Sequence, residues 1–372
     1  MSKLIPISSP LPDDLGPGIS LYNHELEERG YPTWQNGPWL FIECYLCMCF
    51  PCRLSLNDDP MVERWADHNL VIDCITDRRI NTYFSCSKHW RGYDVFARQK
   101  ISTFKSSRSA VLELASRYVE LARKAESGES NVESEKLLFS EMCEICLWGN
   151  ATDLSLLTNL SYEDIQKLQG SKARKDSQKN IIVNDIDAAF TALYKARAEK
   201  KDSDRQVGIV LDNSGFELYV DLILAGYLLS ANLATTIVLH PKLIPWFVSD
   251  VVPKDFGNLL NALADPQAFY TAPDETGKEY PPLSESQLSD LKFLFDQWTK
   301  FHQDGKLIMR PHRFWTTPGC YWRLPTLAPD LFDDLKHSEL VLFKGDLNYR
   351  KLTNDVSFIS FLFFPLNFFP FS

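Results

Sequence analysis

Apolar positions follow two regimes along this chain. In the first half they recur mostly at helical spacing; in the second, short unbroken apolar runs alternate with helical stretches. The clearest run is residues 207–211, Val-Gly-Ile-Val-Leu, mostly β-branched and of strand length. Gly215 permits a sharp turn after it, and Phe216, Val220, Ile223, Leu224 and Tyr227 then recur one helical turn apart. The stretch reads as buried strand, polar turn, helix. Residues 235–239, 306–310 and 339–343 predict three more strands, and residues 258–264 and 286–302 predict helices. Strands alternating with helices imply a parallel sheet with helices on both faces, a three-layer α/β/α arrangement.

The first half predicts helices over residues 109–124, 137–148, 154–167 and 185–200, with a further helix-like stretch from Trp39 to residue 46. Val111, Leu114, Ala115, Tyr118 and Leu121 form one apolar face, and Asp185 stands as the expected cap of the last helix. Residues 1–35 read as an irregular arm. Residues 47–77 show no sustained period. The charged residues 200–205 separate a mainly helical region, 1–200, from an α/β region, 205–355, and a Phe-rich tail follows over 356–372. That tail is interrupted by Pro365 and Pro370 and is short for a bilayer span.

Polar residues gather where strands are expected to end. Asp212 and Asn213 follow the first strand, Asp250 follows the second, and Asp346, Asn348 and Arg350 follow the fourth. In an open parallel sheet, ligands bind at that edge. A carboxylate beside a carboxamide offers hard oxygen donors that suit Mg²⁺ or Mn²⁺ better than zinc. Such a metal polarises a phosphoryl oxygen while Arg or Lys clamps the others. The plain alternative is an Asx turn with no ligand. His240 and His312 read either as substrate contacts or as structural histidines, and Lys242 as a further phosphate contact.

Composition narrows these readings. The chain has 372 residues, 45% hydrophobic and 24% charged, enough for a sizeable core. A formal net charge of -10 argues against nucleic acid and anionic membranes as partners. The opening residues lack a signal-peptide core, so a cytoplasmic, or nuclear, protein with reduced cysteines is expected. Cys44/Cys47, Cys49/Cys52 and Cys143/Cys146 have zinc-ligand spacing, but Cys44 and the last pair lie on helical patterns, which favours ordinary thiols. No phosphate-binding glycine loop and no G-x-S-x-G occurs. Oligomeric state stays open.

Four motifs in order carry a family resemblance: Leu147-Trp-Gly-Asn-Ala-Thr-Asp-Leu-Ser-Leu-Leu157, Asp212-Asn-Ser-Gly-Phe-Glu-Leu-Tyr-Val-Asp-Leu, Trp246-Phe-Val-Ser-Asp250 and Lys344-Gly-Asp-Leu-Asn-Tyr-Arg-Lys351. Together they resemble the damage-control phosphatases, in the subfamily of the protein-glutamate O-methyltransferase-like (acidic residue methyltransferase) proteins. The resemblance implies a phosphatase of small phosphorylated sugars, such as fructose 1-phosphate, working with Mn²⁺, Co²⁺ or Ni²⁺. It places metal ligands and catalysis on Asp212, Asn213 and Asp250. Substrate contacts would fall on Asp212, Asn213, Glu217, Asp346, Leu347, Asn348, Tyr349 and Arg350. Glu217 also matches a position assigned to S-adenosylmethionine, so a protein-glutamate O-methyltransferase is the rival reading. Two departures stand out. Residues 47–77 intervene before Arg78-Arg79, as an insert foreign to the family. The family's Arg-Thr-x-Lys motif has no counterpart here, which implies impaired activity or an inactive product.

Overall fold

The computed structural model describes residues 19–33, 94, 96–126, 132–149, 181–200, 204–243, 245–273, 280–317 and 320–354. The readings for residues 39–46, 47–77, 154–167 and 356–372, and for the cysteines before Cys143, lie outside these.

Among the described residues five helices come first: α1 (Ile19–Glu28), α2 (Ala97–Ser106), α3 (Arg108–Glu126), α4 (Val132–Trp148) and α5 (Ile186–Glu199). The α/β part follows as β1 (Gln206–Val210), α6 (Phe216–Ser230), β2 (Thr236–His240), α7 (Pro253–Ala264), α8 (Pro266–Thr271), α9 (Glu285–Gln303) and β3 (Leu307–Met309). After two 3₁₀ turns come α10 (Leu324–Leu327), α11 (Pro329–Lys336), β4 (Ser338–Phe343) and α12 (Gly345–Thr353). The predicted helices and strands in the described residues are present, with ends shifted by a few residues. One detail differs. Asp185 occupies the N-cap of α5 but makes no side-chain cap bond; Asn184 Oδ1 accepts the Ile186 N–H at 3.2 Å instead.

The sheet is parallel throughout, in the order β3-β2-β1-β4. From β1 the chain steps outward through β2 to β3, then crosses back to place β4 on the other side of β1. The reversal point of such a sheet leaves a crevice beyond the carboxyl ends of β1 and β4. Alternation along β1 divides the core. Val207, Ile209 and Leu211 enter a large apolar cluster with α3, α4, α6, α7 and α9, whereas Val210 packs on Phe314, Trp315, Tyr321, Leu324 and Leu331. Helices therefore cover both faces. The large cluster also takes Phe139, Phe190 and Leu193, so the helical first half and the sheet share one core.

Helix α6 lies at the centre of that core. The sequence pattern suggests a single apolar face, but every residue from 216 to 228 is buried. Only residues without bulk fit where neighbours press closest. A β-carbon at Gly226 would overlap the Tyr118 hydroxyl and stand 2.9 Å from Trp298 Nε1. Two carboxylates, Glu217 and Asp221, lie inside this apolar helix one turn apart, and burial without a cation would be severely unfavourable.

Two tests follow from this packing. Ala in place of a helical Gly gains about 1 kcal/mol of propensity, whereas overpacking costs about 1–3 kcal/mol. Gly226→Ala is expected to lower unfolding free energy by about 1 kcal/mol; a rise in denaturation midpoint would show that α6 is loosely packed. His240, the fully buried last residue of β2, sits edge-on to Trp315 at 5.7 Å. Burial lowers its imidazole to about 4, with Asp334 opposing and Arg310 reinforcing the effect. Between about 6.5 and 4 the unfolded chain then binds a proton that the folded chain refuses. Stability should fall by up to about 3 kcal/mol as pH drops through that window, and the contribution vanishes above it. His240→Phe keeps the ring contact and should flatten this slope in urea melts; identical slopes would contradict the assignment.

Candidate functional site

The site begins where β1 runs out. Leu211 N–H donates to His240 O at 3.1 Å, the last link to β2. The chain after β2 then folds back on itself. Val251 N–H donates to Asp212 O at 2.8 Å and Ser214 N–H to Ser249 O at 2.7 Å, so Asn213 and Asp250 form an isolated antiparallel bridge. Asp250 is thus not at a strand end, as its place in the sequence suggests, but on a return loop sewn to the end of β1. Phe247 holds a left-handed backbone (φ 49°) in that loop, an unfavourable state for a bulky residue that its surroundings must impose. Lys100 pins the loop from below: its ammonium donates to Asp250 O (2.8 Å), Asp94 Oδ2 (2.7 Å) and Asp255 Oδ2 (2.9 Å). Burial opposes the charge on Lys100, but Asp255 and Asp94 hold its pKa above the ordinary lysine value.

Side chains of this turn point at one another. Asn213 Nδ2 donates to Asp212 Oδ2 (2.9 Å) and Glu217 Oε2 (2.8 Å), and Ser249 Oγ donates to Asn213 Oδ1 (2.6 Å). Lys242 donates to Leu211 O at 2.9 Å and stands 3.5 Å from Asp250 Oδ2. It is only 1% exposed, so its cation is spent on this framework. Gly215 (φ 70°) then starts α6.

The end of β4 closes the other side. Lys344 N–H donates to Val210 O at 3.0 Å. Its ammonium donates to Asp221 Oδ1 (2.8 Å) and Cys146 O (2.9 Å) and lies 3.3 Å from Glu217 Oε1. Burial disfavours that charge, but Asp221, followed by Cys146 and Glu217, more than reverses the effect. Gly345 comes next at φ 77°, and a β-carbon there would overlap the Asp212 carboxylate. No other residue type fits this close approach.

Five of the eight positions expected to contact substrate, residues 346–350, fall in the first two turns of α12. Leu347 and Asn348 face inward. Asn348 Nδ2 donates to Lys344 O (2.6 Å) and to the carbonyls ending β1, and its Oδ1 accepts from the Tyr321 hydroxyl. Asp346 and Tyr349 are exposed, and Arg350 stands 3.6 Å from Asp346 Oδ2. His312 is used structurally: its Nδ1 accepts the Phe314 N–H at 3.1 Å, capping a 3₁₀ turn. Cys143 and Cys146 are free thiols one turn apart on α4; burial pushes Cys143 up to about 12, and Cys146 Sγ donates to Asp221 Oδ1 at 3.0 Å. A cavity of about 380 Å³ opens on the far side of the turn, between α2 and α7, lined by Phe104, Ser214, Gly215 and Asp255. None of Asp212, Asn213 and Asp250 lines it.

Ser249 and Lys344 lie inside two of the motifs that carry the family resemblance, whereas Lys100 has no signal in the sequence. For Lys344 a physical signal exists as well: two carboxylates one turn apart in an apolar helix require a buried cation.

The donor set can be tested for a metal. Among the described residues, no three His, Cys, Asp or Glu side chains group as metal ligands. The set here is two carboxylates and one carboxamide. Its electrostatics favour a cation. Burial, then Glu217 and Asp250, push the Asp212 carboxyl well above the usual carboxylate range, against the pull of Lys242. Burial likewise raises Glu217 to about 7, although Lys344 opposes it. Among the described residues and with all ionised, Asp212, Glu217, Asp221 and Asp250 carry four negative charges, and the ion pairs seen set Lys242 and Lys344 against them. Within that set two negative charges remain among buried side chains, which a divalent ion with oxygen preference would offset.

Comparison with known proteins adds an independent line. A family model described as "Damage-control phosphatase ARMT1-like domain" matches residues 20–364. "Damage-control phosphatase ARMT1" of Rattus norvegicus is 32% identical over 329 residues, covering 88% of this chain and 62% of that protein. The proteins of the same name from Macaca fascicularis (33%) and Homo sapiens (32%) match over 330 residues, 88% of this chain and 63% of theirs. The chain therefore spans a little over three-fifths of the length of these relatives. A solved structure of a DUF89-family protein from Pyrococcus horikoshii shares 15% identity, covering 84% of this chain and 85% of that one with a TM-score of 0.39.

Proposed function

This chain belongs to the damage-control phosphatase ARMT1-like family, and from that premise we propose that it hydrolyses small phosphorylated sugars, fructose 1-phosphate among them, with a divalent metal ion. The observation that supports the reading is the gathering of buried carboxylates, among the described residues, at the reversal point of the sheet. Asp212, Asn213 and Asp250 would hold the ion, Mn²⁺ in the first instance, with Co²⁺, Ni²⁺ and Mg²⁺ as alternatives. When bound, such an ion offsets the charge that develops on the phosphoryl group.

The chain's own residues supply positioning. The antiparallel bridge keeps Asp250 against Asn213, and Lys242 holds Asp250 from the opposite side. Gly345 leaves room for the Asp212 carboxylate, and the first turn of α12 presents backbone N–H groups favourable to an anion. Arg350, half-buried beside Asp346, would exchange that exposed pair for a phosphate oxygen. The methyl-transfer reading has less support. Glu217 is 1% exposed, and its two oxygens are turned to Asn213 and Lys344 rather than to an open cofactor cleft.

Asp212→Asn provides the test. It removes a metal-ligand charge but keeps the shape, and relief of buried like charges should stabilise the fold by about 0.5–2 kcal/mol. Purified wild-type chain should release phosphate from a sugar-phosphate panel only when Mn²⁺ is added. The variant should release none while melting at a higher temperature. Metal-independent turnover, or turnover that survives in the variant, would overturn the proposal.

A further inference from the structure

A carboxamide can hold a hard cation only through its oxygen, so the usefulness of Asn213 depends on which way its amide faces. Around Asn213 that choice is made by neighbours. Two carboxylate oxygens, Glu217 Oε2 and Asp212 Oδ2, take the nitrogen, and Ser249 Oγ donates to the oxygen. Glu217 is itself directed. Its other oxygen, Oε1, lies 3.3 Å from Lys344 Nζ, and an ammonium can only donate. Lys344 in turn has little freedom. Its backbone is tied to the end of β1, and its ammonium to Asp221 of α6 and the Cys146 carbonyl of α4.

We propose that Lys344 is a positioning residue for the Asp212–Asn213 pair: acting through Glu217, it sets the Asn213 carboxamide with its nitrogen toward the carboxylates and its oxygen toward Ser249, the neighbour of Asp250. Lys344 and Gly345 then serve the two donors of one turn together. The glycine admits the Asp212 carboxylate, and the lysine orients the Asn213 amide. This inference deepens the metal reading above and rests on it for its effect on catalysis, but the amide orientation itself requires no metal.

The experiment uses the full chain with ¹⁵N-labelled asparagine, and has a metal-free arm and a Mn²⁺ arm. In the first, the Asn213 side-chain amide signal, assigned by its loss in Asn213→Asp, should be protected from solvent exchange. That protection should fall at least tenfold in Lys344→Met and in Glu217→Gln, and return in Lys344→Arg, which keeps a donor toward Glu217. In the second, Mn²⁺ affinity measured by electron paramagnetic resonance should fall about 10- to 100-fold in Lys344→Met, the range for residues that orient ligands. Lys344→Arg should recover most of it. If Lys344→Met fails to fold, Glu217→Gln alone decides. Unchanged amide protection in the folded variants would overturn the inference, because a purely structural lysine would lower the melting temperature without moving that signal. Loss of amide protection with no Mn²⁺ binding by the wild type would support the orienting role and sink the metal reading instead.

Discussion

Negative charge packed where water is excluded is the constraint around which this molecule is arranged. Asp212, Glu217, Asp221 and Asp250 are each at most 3% exposed, and among the described residues Lys242 and Lys344 form ion pairs with this group. A fold that wanted stability alone would place apolar residues there, since a buried ionic cluster seldom beats good packing. Retaining four carboxylates in this crevice makes sense where charge is to be used. The rest of the structure supplies what such a cluster demands: a rigid wall, fixed partners and a shape that keeps the oxygens together.

Helix α6 is the wall. Because it is apolar on every side apart from Glu217 and Asp221, its burial among α3, α4, α9 and the sheet leaves it no freedom to rotate. Rotation would carry a carboxylate into the apolar core. The helix therefore locks Glu217 and Asp221 in the direction of Lys344, and Lys344 joins that helix to the end of β4. On the other side, Lys100 draws Asp94, Asp255 and the Asp250 carbonyl into a second buried knot. Breaking either lysine contact leaves a carboxylate stranded, which is more damaging than the pair itself is stabilising. Under the proposed metal reading, function and stability pull in opposite directions at Asp212 and in the same direction at Lys344.

Much of this could be read from the amino-acid pattern, and the omissions have physical causes. The unit from Val207 to Tyr227 was plain because an apolar run, a glycine and a 3.6-residue period all specify the same strand, turn and helix. Helices over 109–124 and 137–148 were plain for the same reason. Asp212 and Asn213 stood out by following a buried strand. Asp250 was harder to place: its return loop depends on backbone bonds to residues some forty positions earlier, which no local period encodes. The burial of Lys100 and Lys344 does not follow from local pattern, because a lysine is solvated by default and these two meet carboxylates 155 and 123 residues away. Residues 345–350 were correctly associated with the end of the fourth strand. Their helical geometry, which turns Asn348 inward and Tyr349 outward, follows from Gly345 taking a positive φ beside Asp212.

The central claim is that the turn beyond β1, closed by the end of β4, is a divalent-cation site made from buried oxygen donors. Calorimetric titration of the wild-type chain and of Asp212→Asn with Mn²⁺ at neutral pH tests it most directly. The account predicts one saturable site in the wild-type chain that is lost in Asp212→Asn, because the cation is held by the buried oxygens of Asp212, Asn213 and Asp250. Absence of saturable binding, or binding unchanged in that variant, would contradict it.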